Sequence, residues 1–430
     1  MPRSVLYLPL LLWLTACQAE SEPVPKIDLR WSQPLKVASG EAYQGPWRMN
    51  ESEFLYVDDP AVALAEDTTY FAWVDNARQD IYFQVFDPEG GARLDEPVNV
   101  SGSGDTFSWL PRVAVDGDRV YVAWEEILFT GGSHGGEILL ARSDDGGRSF
   151  SEPINLSDTT AGAGKGRLTR ERWDNGSLDL LALDGRVVVA WTEYEGALRV
   201  ATSSDGGDSF GKPLHVAGDD DLPARAPSLA GSANGRTWLA WTVGEDRSAD
   251  IHLAWSDHTE EGFSDSRRIH ASDAHADSPV VRLDPDGAVH LAWTESDGGP
   301  LRASRIAYAR DADGTGDFGD KVMLSGETMA VYPQMAVAGE RVMVSWERFE
   351  PNARQLFGIG YAVSKDGGRQ FGEPAEVPAT VREEYGANGG NQGLLMRKLD
   401  LSDDSRVALG HATFNRNEAS HIWLLQGQLD

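Results

Sequence analysis

Six stretches of the chain close in the same way, a short apolar run ending in a small residue followed by tryptophan. They are Tyr70-Phe71-Ala72-Trp73, Tyr121-Val122-Ala123-Trp124, Val188-Val189-Ala190-Trp191, Trp238-Leu239-Ala240-Trp241, His290-Leu291-Ala292-Trp293 and Met343-Val344-Ser345-Trp346. The tryptophans stand 51, 67, 50, 52 and 53 residues apart. Runs this short, rich in β-branched and aromatic residues and bounded by turn residues, predict strands. A unit of about 50 residues holding several short strands is the signature of a β-propeller blade.

The units share an internal order. An apolar strand, often begun by proline (Pro60, Pro111, Pro227, Pro279, Pro333), leads to a Gly- or Asp-bearing turn and then to the Trp-terminated strand. A third strand such as Ile138-Leu139-Leu140-Ala141-Arg142 and a short fourth strand after an aromatic-x-x-Pro pattern complete four strands, a to d. Six units run from about Asp58 to Pro378. Leu399 to Leu425 repeats strands a to c, with Arg406-Val407-Ala408-Leu409-Gly410-His411 in register with Arg186 to Trp191. Trp31 to Val37 resembles the missing strand d, and pairing the two termini would remove the open edges of the ring. The expectation is an all-β, seven-bladed propeller over residues 27–430, with six blades plus an appended hairpin as the alternative.

The turn between strands c and d carries a motif. Ser143 to Phe150, Ser203 to Phe210 and Ser364 to Phe371 all fit S-x-D-x-G-x-x-[FW]. These turns resemble the Asp-boxes (BNR repeats) of sialidases and related propellers. The resemblance implies the fold, and it implies that Asp145, Asp205 and Asp366 are structural, on the face opposite the ligand. The tryptophans, evenly spaced, read as packing between blades, and His411, in the tryptophan position of the last unit, as a core residue.

Function is then expected on the other face, where three crossings exceed what connectivity needs: Gly40 to Val57, Asp158 to Ser177 and Thr380 to Gly393. Within or beside them stand Trp47, Arg48, Arg167, Arg170, Arg172, Trp173 and Arg382, and shorter crossings add Arg112 and Arg225. Arginine and aromatic side chains together suit carboxylated or hydroxylated ligands, so these nine are the candidate ligand-binding residues. The competing reading is that the arginines neutralise nearby carboxylates. Just past the tryptophans lie Asp75, Glu125, Glu126, Glu193, Glu295 and Glu347, which read as a cation ring, an acid/base group or solvated strand ends. Sialidases use a tyrosine nucleophile activated by glutamate. By residue type Tyr385 and Glu384 match that pair, which makes an exo-α-sialidase-type glycoside hydrolase the alternative to a binding protein. The sialidase R-I-P motif is absent, and seven units depart from the six usual there.

Charge and the amino terminus narrow the setting. A formal net charge of −30, with no basic run, excludes nucleic acid as a partner. No metal-ligand spacing or cofactor motif is present, so neither metal nor cofactor is expected. The apolar stretch Val5 to Ala16 is too short to span a bilayer and ends in Leu14-Thr15-Ala16-Cys17. It resembles a bacterial lipoprotein signal: residues 1–16 would be removed, Cys17 lipidated, and residues 17–26 left as a tether. Gln18 after the cysteine favours the outer membrane. Cys17 is the sole cysteine, which leaves no disulfide in the domain. The protein is therefore expected at the bacterial cell envelope, lipid-anchored through Cys17, binding a glycan or an envelope protein.

Overall fold

The computed structural model describes residues 29–46, 53–104, 106–127, 136–158, 178–193, 196–219, 221–232, 234–244, 249–270, 274–297, 303–326, 329–349, 356–380, 397–415 and 418–430. Seven antiparallel sheets stand in a ring, each with consecutive strands side by side. Their innermost strands are Val57–Ala65, Phe107–Asp116, Leu178–Leu183, Ala224–Gly231, His275–Leu283, Ala330–Ala338 and Leu399–Leu401. Each touches the next and the last touches the first, so the ring closes. In blade 7 the chain supplies Leu399–Leu401, Arg406–Asn415 and Ala419–Leu429 from its C-terminal end. Leu29–Trp31 and Leu35–Gly40 together fill the fourth place against Ala419–Leu429. The fold is thus a seven-bladed propeller whose termini share one sheet. The six-blade alternative is ruled out because Leu399–Leu401 packs between the inner strands of blades 6 and 1.

The repeat has a geometric cause. In blades 1, 2, 4, 5 and 6 two residues of the inner strand oppose the single repeat tryptophan of strand b, a β-bulge. The first bulge residue has positive φ every time: Asp59, Leu110, Ala226, Ser278 and Tyr332, at 53° to 56°. The second is always proline: Pro60, Pro111, Pro227, Pro279 or Pro333. Proline disfavours the right-handed helical region for the residue before it. Its missing N–H is harmless here, because the inner edge of the innermost strand faces the axis and has no ladder partner. The tryptophans opposite, Trp73, Trp124, Trp241, Trp293 and Trp346, are buried. Blade 3 lacks proline and bulge, its Trp191 pairing directly with Leu178.

At the other end of the strands the Ser-x-Asp-x-Gly turns close on themselves. Ser143 Oγ donates to Asp145 Oδ1 (2.7 Å), and Asp145 accepts from the N–H (2.9 Å) and hydroxyl (2.6 Å) of Ser149. Gly147 N–H donates back to Ser143 Oγ at 2.8 Å. The turn at Asp205 repeats this pattern, and the turn at Asp366 repeats all of it but the hydroxyl bond, because Gln370 stands in place of the serine. The Ser149 hydroxyl, more than any other group, holds the Asp145 carboxyl down at about 2. The following aromatic reaches the preceding blade: Phe150 meets Phe83 edge-on at 5.2 Å and Phe371 meets Tyr308 at 4.8 Å. These turns therefore join neighbouring blades as well as neighbouring strands.

Candidate functional site

The strand directions define two faces. One, the turn face, carries the a–b and c–d turns. The other, the mouth face, carries the b–c loops and the crossings from blade to blade. Several candidate residues, Trp47, Arg48, Arg167, Arg170, Arg172, Trp173, Arg382, Glu384 and Tyr385, lie outside the described residues, as does Cys17. Arg112 and Arg225 are described, and both are in the wall beneath the mouth, each 1% exposed. Arg112 Nε donates to Leu178 O (3.0 Å) and its Nη1 to Pro111 O (3.0 Å), tying blade 2 to blade 3. Arg225 Nε donates to Gly244 O (2.8 Å), and Nη1 pairs with Asp277 at 2.9 Å. The bulges account for this: each inserts a residue where the strand begins, redirecting the side chains on either side of it.

Sequence reasoning missed the group that dominates the axis. Arg397 lies two residues before the inner strand of blade 7, and Asp179 is the second residue of the inner strand of blade 3. In a seven-membered ring these blades face each other across the centre. The Arg397 guanidinium grips Asp179 through two hydrogen bonds (Nε–Oδ1 3.0 Å, Nη2–Oδ2 3.1 Å) and also donates to Pro227 O of blade 4 (3.2 Å). Asp179 Oδ2 in turn accepts Leu229 N–H at 2.8 Å, and Arg397 O accepts Val62 N–H of blade 1 at 3.0 Å. One residue thus ties blade 7 to blades 1, 3 and 4. Burial works against the Asp179 anion, but the guanidiniums of Arg397, Arg282 and Arg112 together hold its carboxyl below the usual range. Burial, and then the nearby Arg397 charge, lowers Arg112 to about 9 and Arg282 to about 10. The only signal in the sequence was that the two units without the proline carry charged residues there.

Beside this plug, between blades 6, 7 and 1, lies a second buried group. Lys398 pairs with Glu347. Asp58 is buried with neither carboxylate oxygen in a well-formed hydrogen bond, and one oxygen of Asp59 is in the same state. Burial is the main cause that lifts the Asp58 carboxyl to about 6; the Asp59 backbone amide and the Lys398 ammonium pull the other way, and the Glu347 carboxylate adds to the rise. Asp59 is raised further, by burial and then by Asp58 beside it. His411 is buried without a partner for either ring nitrogen, and burial, then Lys398, pushes it down to about 3. Most of the acids past the tryptophans are buried too, rather than solvated strand ends. Asp75 pairs with Arg78, Glu295 with Lys321 and Glu347 with Lys398. Glu126 accepts from Ser108 and Trp124, and the half-buried Glu193 pairs with Arg199. Among the described residues no three His, Cys, Asp or Glu side chains are arranged to hold a metal ion.

The Asp58–Asp59 pair has a pH signature. A carboxyl raised above its unfolded value near 3.9 keeps a proton that the unfolded chain releases. That contribution stabilises the fold at low pH and is lost as pH rises through about 6. His411 and His290, lowered to about 3 and about 4, act oppositely, weakening the fold as pH falls below the ordinary histidine value of about 6.5. The difference between wild type and Asp58→Asn isolates the first effect. The variant is expected to be more stable by roughly 1–3 kcal/mol at pH 8 and by only about half as much at pH 5. Denaturant unfolding at both values checks this, and a difference independent of pH would contradict it.

No family model matches the chain, and no curated protein matches it. Similarity appears only among solved structures. An ulvan lyase of polysaccharide lyase family PL25, solved bound to -[GlcA(1-4)Rha3S]-, is 13% identical with a TM-score of 0.54, over 91% of this chain and 95% of that one. YCF48 bound to D1 peptide is 15% identical with a TM-score of 0.52, over 95% and 98%. A protein of unknown function from Dyadobacter fermentans is 16% identical with a TM-score of 0.51, over 76% and 95%. At such identities the likeness establishes the propeller fold, one used in these relatives both by a carbohydrate-active enzyme and by a peptide-binding protein.

Proposed function

We propose that this protein is an Asp-box propeller of the bacterial envelope, lipid-anchored through Cys17, and that it binds an envelope glycan bearing carboxylates at its mouth face. The observation that carries the reading is the layout of charge at that face. Buried ionisable groups with displaced pKa values gather around the axis there, beneath the ends of all three long crossings, and such clusters mark functional sites. Arg112 and Arg397 are already committed to carbonyls and to Asp179, so the plug serves as a rigid floor. Contact with the glycan falls to the crossings themselves, through Arg48, Arg167, Arg170, Arg172 and Arg382, with Trp47 and Trp173 as stacking surfaces. Carboxylates suit the guanidinium forks, and sugar faces suit the rings.

A glycan array comparing uronate- and sialate-bearing with neutral oligosaccharides tests this. Binding of the acidic members, weakened at least tenfold in the Arg167→Ala/Arg170→Ala/Arg172→Ala variant, is the expected result. Absence of binding to any acidic glycan overturns it. A fluorogenic α-sialoside assay beside Tyr385→Phe decides the catalytic alternative: turnover that disappears in the variant would make the protein a sialidase-type hydrolase.

A further inference from the structure

The two ends of the fourth strand of blade 7 lie on opposite faces. Leu29 pairs with Leu429, at the C-terminal end of strand c, while Gly40 pairs with Ser420, beside the b–c loop. The chain therefore joins the propeller on the turn face, at the outer edge of blade 7, and only then rises to the mouth face. Arg30 and Lys365 both engage Asp430 at this corner, fastening the point of attachment.

We infer that in the membrane-anchored protein the turn face is held toward the bilayer and the mouth face is presented away from it, so that the mouth receives its ligand from the aqueous side and not from the lipid surface. This rests on the lipid-anchored reading of Cys17, and the geometry is as follows. Leu29 lies twelve positions after Cys17. Fully extended this stretch reaches at most about 40 Å, and as a flexible coil about 20 Å. The second strand of blade 7, Arg406–Asn415, has ten residues, so the blade stands about 33 Å tall. Turning the mouth toward the lipid would require the tether to climb that height almost fully stretched, whereas the opposite orientation leaves it coiled. The turn face also carries acids in most of its turns, among them Asp67, Asp118, Asp144, Asp208, Asp257, Asp286 and Asp403. Four of these acids, Asp67, Asp144, Asp208 and Asp257, are paired with arginines, but with a net charge of −30 the chain as a whole is repelled by anionic lipid, so the tether rather than adhesion is what sets the orientation.

The experiment uses the full acylated protein reconstituted in vesicles. Lipidation consumes the Cys17 thiol, so one engineered cysteine is the only free thiol. Asp403→Cys labels the turn face and Glu418→Cys the mouth face, at opposite ends of the same strand, with an energy acceptor on the lipid headgroups. Transfer at least twofold greater from position 403 is expected, and equal or greater transfer from position 418 overturns the inference. Inserting twenty Gly/Ser residues between Lys26 and Ile27 is expected to abolish the difference; an unchanged difference would show that adhesion, not the tether, orients the domain, against the inference. The anchor is examined separately. Cys17→Ser should release the protein from the membrane fraction, and retention there would defeat the lipid-anchored reading whatever the labels report.

Discussion

Replacing Arg397 with Met is expected to destabilise the propeller by about 3–5 kcal/mol, because it leaves Asp179 as a buried anion without its bidentate partner. The side chains are 12% and 3% exposed, so water cannot take over the guanidinium's role. Arg112 and Arg282 remain near Asp179 and Leu229 still donates to it, which places the result toward the lower end of that range. Chemical unfolding measures the loss. The double variant Arg397→Met/Asp179→Asn separates the pair from its surroundings: Asn keeps an oxygen for the Leu229 N–H while removing the charge. It should be more stable than Arg397→Met alone, with a coupling of at least about 1 kcal/mol. Additive effects would show that the two residues do not act as one unit across the axis.

The second large effect is expected at the glycines of the Asp-bearing turns. Gly147 has φ of +88°, and a Cβ there would overlap the Phe83 ring of blade 1. Gly368 is placed the same way against Tyr308 of blade 5. Gly147→Ala therefore combines a left-handed alanine, about 1–2 kcal/mol, with overpacking of about 1–3 kcal/mol. Its neighbour is the control. Gly146 also has positive φ, +71°, but a Cβ there meets only the end of the Arg148 side chain at 3.6 Å. Gly146→Ala should lose the conformational part alone. Thermal unfolding of the two alanine variants decides the matter: equal losses would mean that the turn does not depend on close approach to the neighbouring blade.

Several features were legible because their causes are local or periodic. The spacing of the tryptophans follows from one strand per blade reaching the same depth, and it revealed six of the seven units without any knowledge of contacts. The Ser143-x-Asp145-x-Gly147 turn closes within a few residues, so its form is written in a few letters. Ring closure was readable from the unpaired Trp31 to Val37 segment and the incomplete last unit, although the first terminal strand is interrupted into two pieces against Ala419–Leu429.

The candidate site divided along the same line. Sequence singled out Arg112 and Arg225 for their position in crossings, and folding turned both into the wall. A bulge opposite a tryptophan is a matter of strand pairing, which single-residue patterns do not reveal; the pre-proline positive φ at Leu110 and Ala226 becomes visible only once the register is known. The acids past the tryptophans resemble solvated strand ends until Lys398 and Lys321 are seen to meet Glu347 and Glu295.

By itself the sequence determined the strand repeat, six of the blades and the self-contained turns, and it pointed to the closing of the ring by its two ends, since each follows from hydrophobic period or from hydrogen bonds spanning a few residues. Only the tertiary structure decided that Arg397 and Asp179, 218 positions apart, meet at the axis, and that Asp58 and Asp59 lie buried beside them. Those outcomes depend on which blades stand opposite in a closed ring and on how much water each charge retains there, and neither property belongs to any short stretch of chain.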